Sequence, residues 1–162
     1  MAKVILICGK ICSGKTQYSK KLVNEYNTVI LSCDEIEYEL FHHELGEKHD
    51  EVAKDIQRYL HKKASEIVLA GSNVILDWGF WRREEREQVS EYYKKQHIFY
   101  EWHYIDISID EWYQNINSRN EAVLAGDTTD YFVDDGLIEK LNSLFEMPKK
   151  EEVDVWHVNQ RK

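Results

Sequence analysis

The chain has little proline, little cysteine and too few positive charges to balance its acids. Pro148 is the only proline in 162 residues, and no linker, internal repeat or low-complexity segment interrupts the sequence. Three cysteines, Cys8, Cys12 and Cys33, cannot build a disulfide framework, and an odd count points to reduced thiols in the cytoplasm. Their ordinary role is apolar packing; Cys12 is the one placed for redox sensitivity. No apolar run approaches the roughly 18 residues that a membrane-spanning helix takes. A strand begins at Val4, which leaves no room for a signal peptide. Lys and Arg number 21 against 30 Asp and Glu, a formal charge of −9. Nucleic-acid binding draws its affinity from cationic surface, so this balance argues against an extended nucleic-acid track. The seven histidines show no metal-ligand spacing.

What the chain does have is concentrated near its start. Residues 4–8 read Val-Ile-Leu-Ile-Cys, an apolar run of the kind that makes a buried parallel strand. Gly9, Gly14, Lys15 and Thr16 then complete the G-x-x-x-x-G-K-[ST] pattern of a phosphate-binding loop. The glycines permit backbone angles that a side chain forbids. The amides of Gly9, Lys10, Ile11, Cys12, Ser13 and Gly14 can therefore turn inward around phosphate oxygens. Lys15 is placed to reach the β- and γ-phosphates, and the Thr16 hydroxyl to bind Mg²⁺. A helix follows with Tyr18, Leu22, Val23 and Tyr26 on one face, and its N-terminal end adds to the anion site. The loop predicts a nucleoside triphosphate ligand.

The remaining pattern alternates strand and helix. Strands are expected at 28–33, 73–77, 97–106 and 153–158. Helices are expected at 35–43, 48–70 and from 83, then one carrying Ile109, Trp112, Ile116 and Val123 and one carrying Leu137, Ile138, Leu141, Leu144 and Phe145. This predicts an α/β fold, a parallel sheet of five strands covered on both faces, in one domain spanning 1–162. Ligands of such sheets sit beyond the carboxyl ends of the strands, where Asp34 and Asp77 both fall. Asp34 is a candidate base for an attacking hydroxyl, or the N-cap of the helix after it. Asp77 ends an apolar quartet in the manner of a metal-contacting acid, and the two roles could be exchanged. Helical spacing sets Arg119 on the inward stripe with Trp112 and Ile116, where a guanidinium needs an anion, either a triphosphate or a core carboxylate. Arg82, Arg83 and Arg86 stand beside Trp78, Phe80 and Trp81, as a substrate lip or as a solvated helix start.

Several stretches together resemble a family of small P-loop kinase-like ATP-binding proteins related to zeta toxins, chloramphenicol phosphotransferase and polynucleotide kinase. They are the 9–16 loop, Ser32-Cys33-Asp34, Leu76-Asp77-Trp78-Gly79-Phe80-Trp81 with Arg86, His103-Tyr104-Ile105-Asp106, Arg119-Asn120, and Phe145-Glu146-Met147-Pro148. The resemblance implies a P-loop NTPase three-layer sandwich with strand order 2-3-1-4-5 and a lid region around 112–145. It also implies ATP-dependent phosphorylation of a small-molecule hydroxyl with Mg²⁺, Asp34 as base, and Arg119 as lid arginine. Polynucleotide kinases carry an arginine three residues after the catalytic acid. Glu37 stands there in this chain, which speaks against a nucleic-acid 5′ end as substrate. The competing expectations are a nucleotide-binding regulator with little turnover and a zeta-toxin-like sugar-nucleotide kinase.

Overall fold

Val4–Cys8 form β1, and burial of all five side chains follows from a strand flanked on both sides and covered on both faces. The computed structural model describes residues 1–160; the last two positions of the 1–162 reading lie outside the described residues. After β1 come α1 (Lys15–Glu25), β2 (Thr28–Leu31), α2 (Cys33–Phe41), a 3-10 turn (Gly46–Lys48) and α3 (His49–Leu69). Then follow β3 (Asn73–Gly79), α4 (Arg83–Lys95), β4 (Tyr100–Asp106), α5 (Ile109–Ala125), α6 (Asp135–Leu144), a second 3-10 turn (Lys150–Glu152) and β5 (Val155–Val158). The sheet runs β2-β3-β1-β4-β5, with every pair parallel, the order that the family resemblance implies.

Strand alternation divides the core. Val4, Leu6 and Cys8 pack with Val74, Leu76, Trp102 and Tyr104 beneath Ala64 and Val68 of α3 and Val89 and Tyr93 of α4. Ile5, Ile7, Ile75 and Ile105 face the other way, toward Leu22 of α1. A third cluster joins Ile11 of the loop to Trp112 and Ile116 of α5, Val133, and Leu141 of α6. It fixes both C-terminal helices to the end of the sheet where the loop lies.

Polar chains lock the layers together. Glu101 can only accept, so His103 donates from Nε2 to Glu101 Oε2 at 3.2 Å, and its Nδ1 accepts from the Tyr18 hydroxyl of α1 at 2.8 Å. Lys3 closes the chain on Glu101 at 2.6 Å.

Several boundaries differ from the sequence expectation for local reasons. β2 stops at Leu31 because Ser32 caps α2, accepting from Glu35 N at 3.2 Å. β5 begins at Val155 rather than 153, because Asp154 first exchanges two 2.8 Å hydrogen bonds with the Trp102 backbone, one through its carboxylate. β3 runs on to Gly79 and carries a bulge. Leu6 pairs with Leu76 but Cys8 with Gly79, so Asp77 and Trp78 together oppose the single residue Ile7.

On α3, His61 Nδ1 lies 2.7 Å from the Tyr93 hydroxyl, and burial pulls its pKa from 6.5 down to about 4. The unfolded chain takes up this proton first, so the stability tied to neutral His61 is complete above pH 6.5 and lost as pH falls toward 4. Urea unfolding across pH 7 to 4 should therefore show a shallower decline for His61→Phe than for the wild type. Parallel profiles would contradict the assignment.

Candidate functional site

Between β1 and α1 the chain turns sharply, with Cys12 at φ 57° and Gly14 at φ 99°. A side chain at Gly14 would be strained and would run into the Asn159 amide. Each carbonyl from Gly9 to Ser13 is held by a side-chain donor. Lys15 Nζ donates to Gly9 O at 3.3 Å and Lys10 O at 2.7 Å. Trp112 Nε1 donates to Ile11 O at 2.7 Å, Asn115 Nδ2 to Cys12 O at 3.0 Å, and Asn159 Nδ2 to Ser13 O at 2.8 Å. Among the described residues, the amides of Lys10, Ile11, Cys12 and Gly14 have no backbone acceptor. The first amides of α1 lack one by helix geometry. Free consecutive amides beside a helix N-terminus make an anion cradle. Ser13 Oγ, fully buried and without a partner among the described residues, is a further donor within the loop.

Beside the loop opens a cavity of about 950 Å³, lined by Ile11, Lys15, Asp34, Asp77, Trp78, Trp81 and Arg82 among others. Asp34 lies in the first turn of α2. The capping role open to it is filled by Ser32, which leaves its carboxylate exposed at the cavity. Asp77 sits in the β3 bulge, where the Ser19 hydroxyl of α1 donates to Oδ2 at 3.4 Å. Burial pushes the Asp77 pKa up to about 6, against the pull of the Lys15 charge. Burial also lowers the pKa of Lys15, while Asp77 and Asp34 favour its charged form. Thr16 is exposed in the first turn of α1 and lies outside the cavity lining.

The aromatic and basic candidates separate. Trp78, Trp81 and Arg82 line the cavity; Arg86 does not. Arg86 is buried at 4% exposure and donates from Nη1 to the carbonyls of Phe80 and Trp81 at 3.0 and 3.2 Å. Its Nη2 lies 3.6 Å from Glu152. It clamps from behind a turn that holds Gly79 at φ 98° and Phe80 at φ 48°. Arg119 lies on α5, between the buried Ile116 and the following segment. Its Nε is 3.7 Å from Asp130, and its guanidinium stands 5.7 Å from the Tyr131 ring centre. Its charge reaches Lys15 and Cys12.

Sequence reasoning missed the anchors Trp112, Asn115 and Asn159, which carry no motif and meet the loop only through the fold. It also missed that Glu37 and His49 line the cavity; the i, i+3 spacing of Asp34 and Glu37 was the available signal.

A family model described as "AAA domain" matches residues 4–148. The chain is similar in structure to an unliganded sugar kinase from Janibacter sp., at 14% identity and TM-score 0.68, over 98% of this chain and 85% of that one. APS kinase from Mycobacterium tuberculosis, in complex with AMPPNP and APS, is similar at 17% identity and TM-score 0.67, over 99% and 90%. A chain of the Pnkp1/Rnl/Hen1 RNA repair complex matches at 19% identity and TM-score 0.68, over 88% of this chain and 43% of that one. No curated protein matches by sequence.

Asn120 holds Asp130 and Tyr131 near Arg119 by a two-point clamp on Val133. Its Nδ2 donates to Val133 O, and its Oδ1 accepts from Val133 N, both at 2.8 Å. Asn120→Ala should cost about 2 kcal/mol in urea unfolding and open residues 126–134 to proteolysis. An unchanged cleavage pattern would remove the clamp from this account.

Proposed function

The chain belongs to the AAA-domain family and has its P-loop kinase-like fold, and on that premise we propose that it is an ATP-dependent kinase acting on a hydroxyl of a small molecule. The observation that carries this reading is that the loop contributes to two cavities. Ile11 and Lys15 line the large one, whereas Lys10 lines another of about 310 Å³ with Tyr104, Asp106, Phe145 and Met147. In this reading the smaller cavity takes the base end of ATP, residues 9–16 hold the phosphates, and the larger cavity takes the acceptor. A cavity of that size beside the phosphate cradle favours transfer over a binding-only role.

The acceptor oxygen bonds to the γ-phosphorus as the bond to the β,γ-bridging oxygen breaks and ADP leaves. The hydroxyl proton passes to Asp34, the one carboxylate at the cavity that is exposed on the first turn of α2. Lys15 and Arg119 offset charge on the transferring group, and the 112–145 region serves as the lid. Trp78, Trp81 and Arg82 form the acceptor wall, with Arg86 supporting it from behind.

Thr16 and Asp77 supply the hard oxygen donors that Mg²⁺ prefers. Asp77, raised to about 6 by burial, is a carboxylate that an adjacent cation would return to its charged form. These two residues would hold the ion, which when bound neutralises charge on the β- and γ-phosphates. Among the described residues no three His, Cys, Asp or Glu groups cluster as a metal site, and a phosphate-shared Mg²⁺ needs no such cluster. No helix among the described residues is long and apolar enough to cross a membrane. The free cysteines fit a cytoplasmic working compartment.

Calorimetric titration with Mg-ATP should give binding in the wild type and none in Lys15→Ala. Asp34→Asn should keep ATP affinity within several-fold while ADP release with an active acceptor falls about 10²- to 10⁴-fold. Full turnover in Asp34→Asn would displace it as base.

A further inference from the structure

The sign of the charges in the large cavity changes with depth. Its lysines and arginines other than Lys15, namely Lys54, Arg82 and Lys140, are exposed at the rim. Lys15 lies at the loop, where its Nζ donates to the Gly9 and Lys10 carbonyls. Away from the loop, the most deeply buried acid of the lining is Glu37, at 5% exposure. Among the described residues no lysine or arginine pairs with it. Its carboxylate accepts from Cys33 Sγ at 3.5 Å and meets His49 Nε2 at 2.9 Å, an imidazole itself 54% exposed whose Nδ1 lies 3.2 Å from Asp50 Oδ1. An anionic group entering here would meet Glu37 without a cationic partner at that depth. A protonated amine would replace His49 and make a charge-assisted hydrogen bond in a partly dry setting.

Glu37 also stands one helical turn after Asp34 on α2. Side chains three apart on a helix are about 5–6 Å apart at Cβ, and both of these line the same cavity. Resting on the kinase reading above, we propose that the acceptor is a small amino alcohol or amino sugar. Its ammonium sits on Glu37, and a hydroxyl a few bonds away is presented to Asp34. Trp78 and Trp81 supply the flat wall against which a ring or carbon chain lies.

The test uses the full chain with the non-hydrolysable analogue AMPPNP and Mg²⁺, and probes matched except for one group. Glucosamine is compared with glucose and glucose 6-phosphate, and 2-aminoethanol-type amino alcohols with the corresponding diols. Binding is read by calorimetry and by the fluorescence of the wall tryptophans. At least one amine-bearing probe should bind about ten-fold or more tightly than its hydroxyl counterpart. That margin should vanish in Glu37→Gln, an isosteric change whose folding is checked by its thermal midpoint. Equal binding within every pair, preference for the phosphorylated probe, binding by none of them, or a margin that survives Glu37→Gln overturns the proposal. The analogue's own titration separates the two readings. Binding of AMPPNP without amine preference removes this inference and leaves the kinase standing, whereas failure to bind AMPPNP removes the kinase reading itself.

Discussion

The site depends on the anchoring of the loop carbonyls. A peptide unit cannot direct its C=O and N–H to the same side, so fixing the carbonyls of Ile11 and Ser13 on Trp112 and Asn159 turns the amides of Cys12 and Gly14 away from those anchors. The donors come from three places: Lys15 at the start of α1, Trp112 and Asn115 on α5, and Asn159 after β5. The loop is therefore shaped by elements more than a hundred residues away as well as by its own glycines. The cluster of Ile11 with Trp112, Ile116, Val133 and Leu141 adds apolar burial to the same attachment. Because Asn159 N also bonds to Asp106 O at 2.8 Å, the pairing of β5 with β4 is part of what holds the cradle open.

A second constraint is the extra residue in β3. It shifts the register of β3 against β1, so that Gly79 rather than Trp78 stands opposite Cys8. Alternation along β3 sets Asp77 against Ser19 on the α1 side and Trp78 on the opposite cluster beside His61, at 5.1 Å between ring centres. The strained turn at Gly79 and Phe80 then needs support, and the buried Arg86 provides it through two carbonyls. An arginine that reads in sequence as part of a basic surface group is in fact a structural tie, and it is this tie that leaves Trp81 and Arg82 at the cavity.

The strand order was legible only through the family resemblance, whereas the alternation of elements was legible in the sequence because it arises from local pattern: short β-branched runs, helical stripes and one glycine-rich turn. The convergence of Lys15, Asp34 and Asp77 was legible for the same reason, since each ends or follows a strand and parallel strands end on one side. What was hidden depends on tertiary contact. Nothing near Asn159 marks it as a loop anchor, and nothing near Arg86 says whether its neighbours face water or core. Ser32 and Asp34 are both good capping residues, and only the backbone bend at Ser32, φ −113° and ψ 124°, decides between them. Glu37 shows in sequence only that an arginine is missing from its position; its burial depends on contact with α3.

Lys15 and Asp77 oppose one another in charge, yet no ion pair within 4 Å joins them among the described residues. Each loses solvent, so burial moves both pKa values toward the neutral form, Lys15 down and Asp77 up. A directly paired lysine and carboxylate would instead hold each other charged. Here Lys15 donates to the Gly9 and Lys10 carbonyls, and Asp77 accepts from Ser19. The result is a cavity with a cationic end at the loop and acidic groups beyond it. That polarity suits one molecule carrying negative oxygens at the loop and another offering hydrogen-bond donors to Asp34. A short Lys15–Asp77 pair would cancel both ends at once, so the separation of these two groups is what gives the cavity a direction.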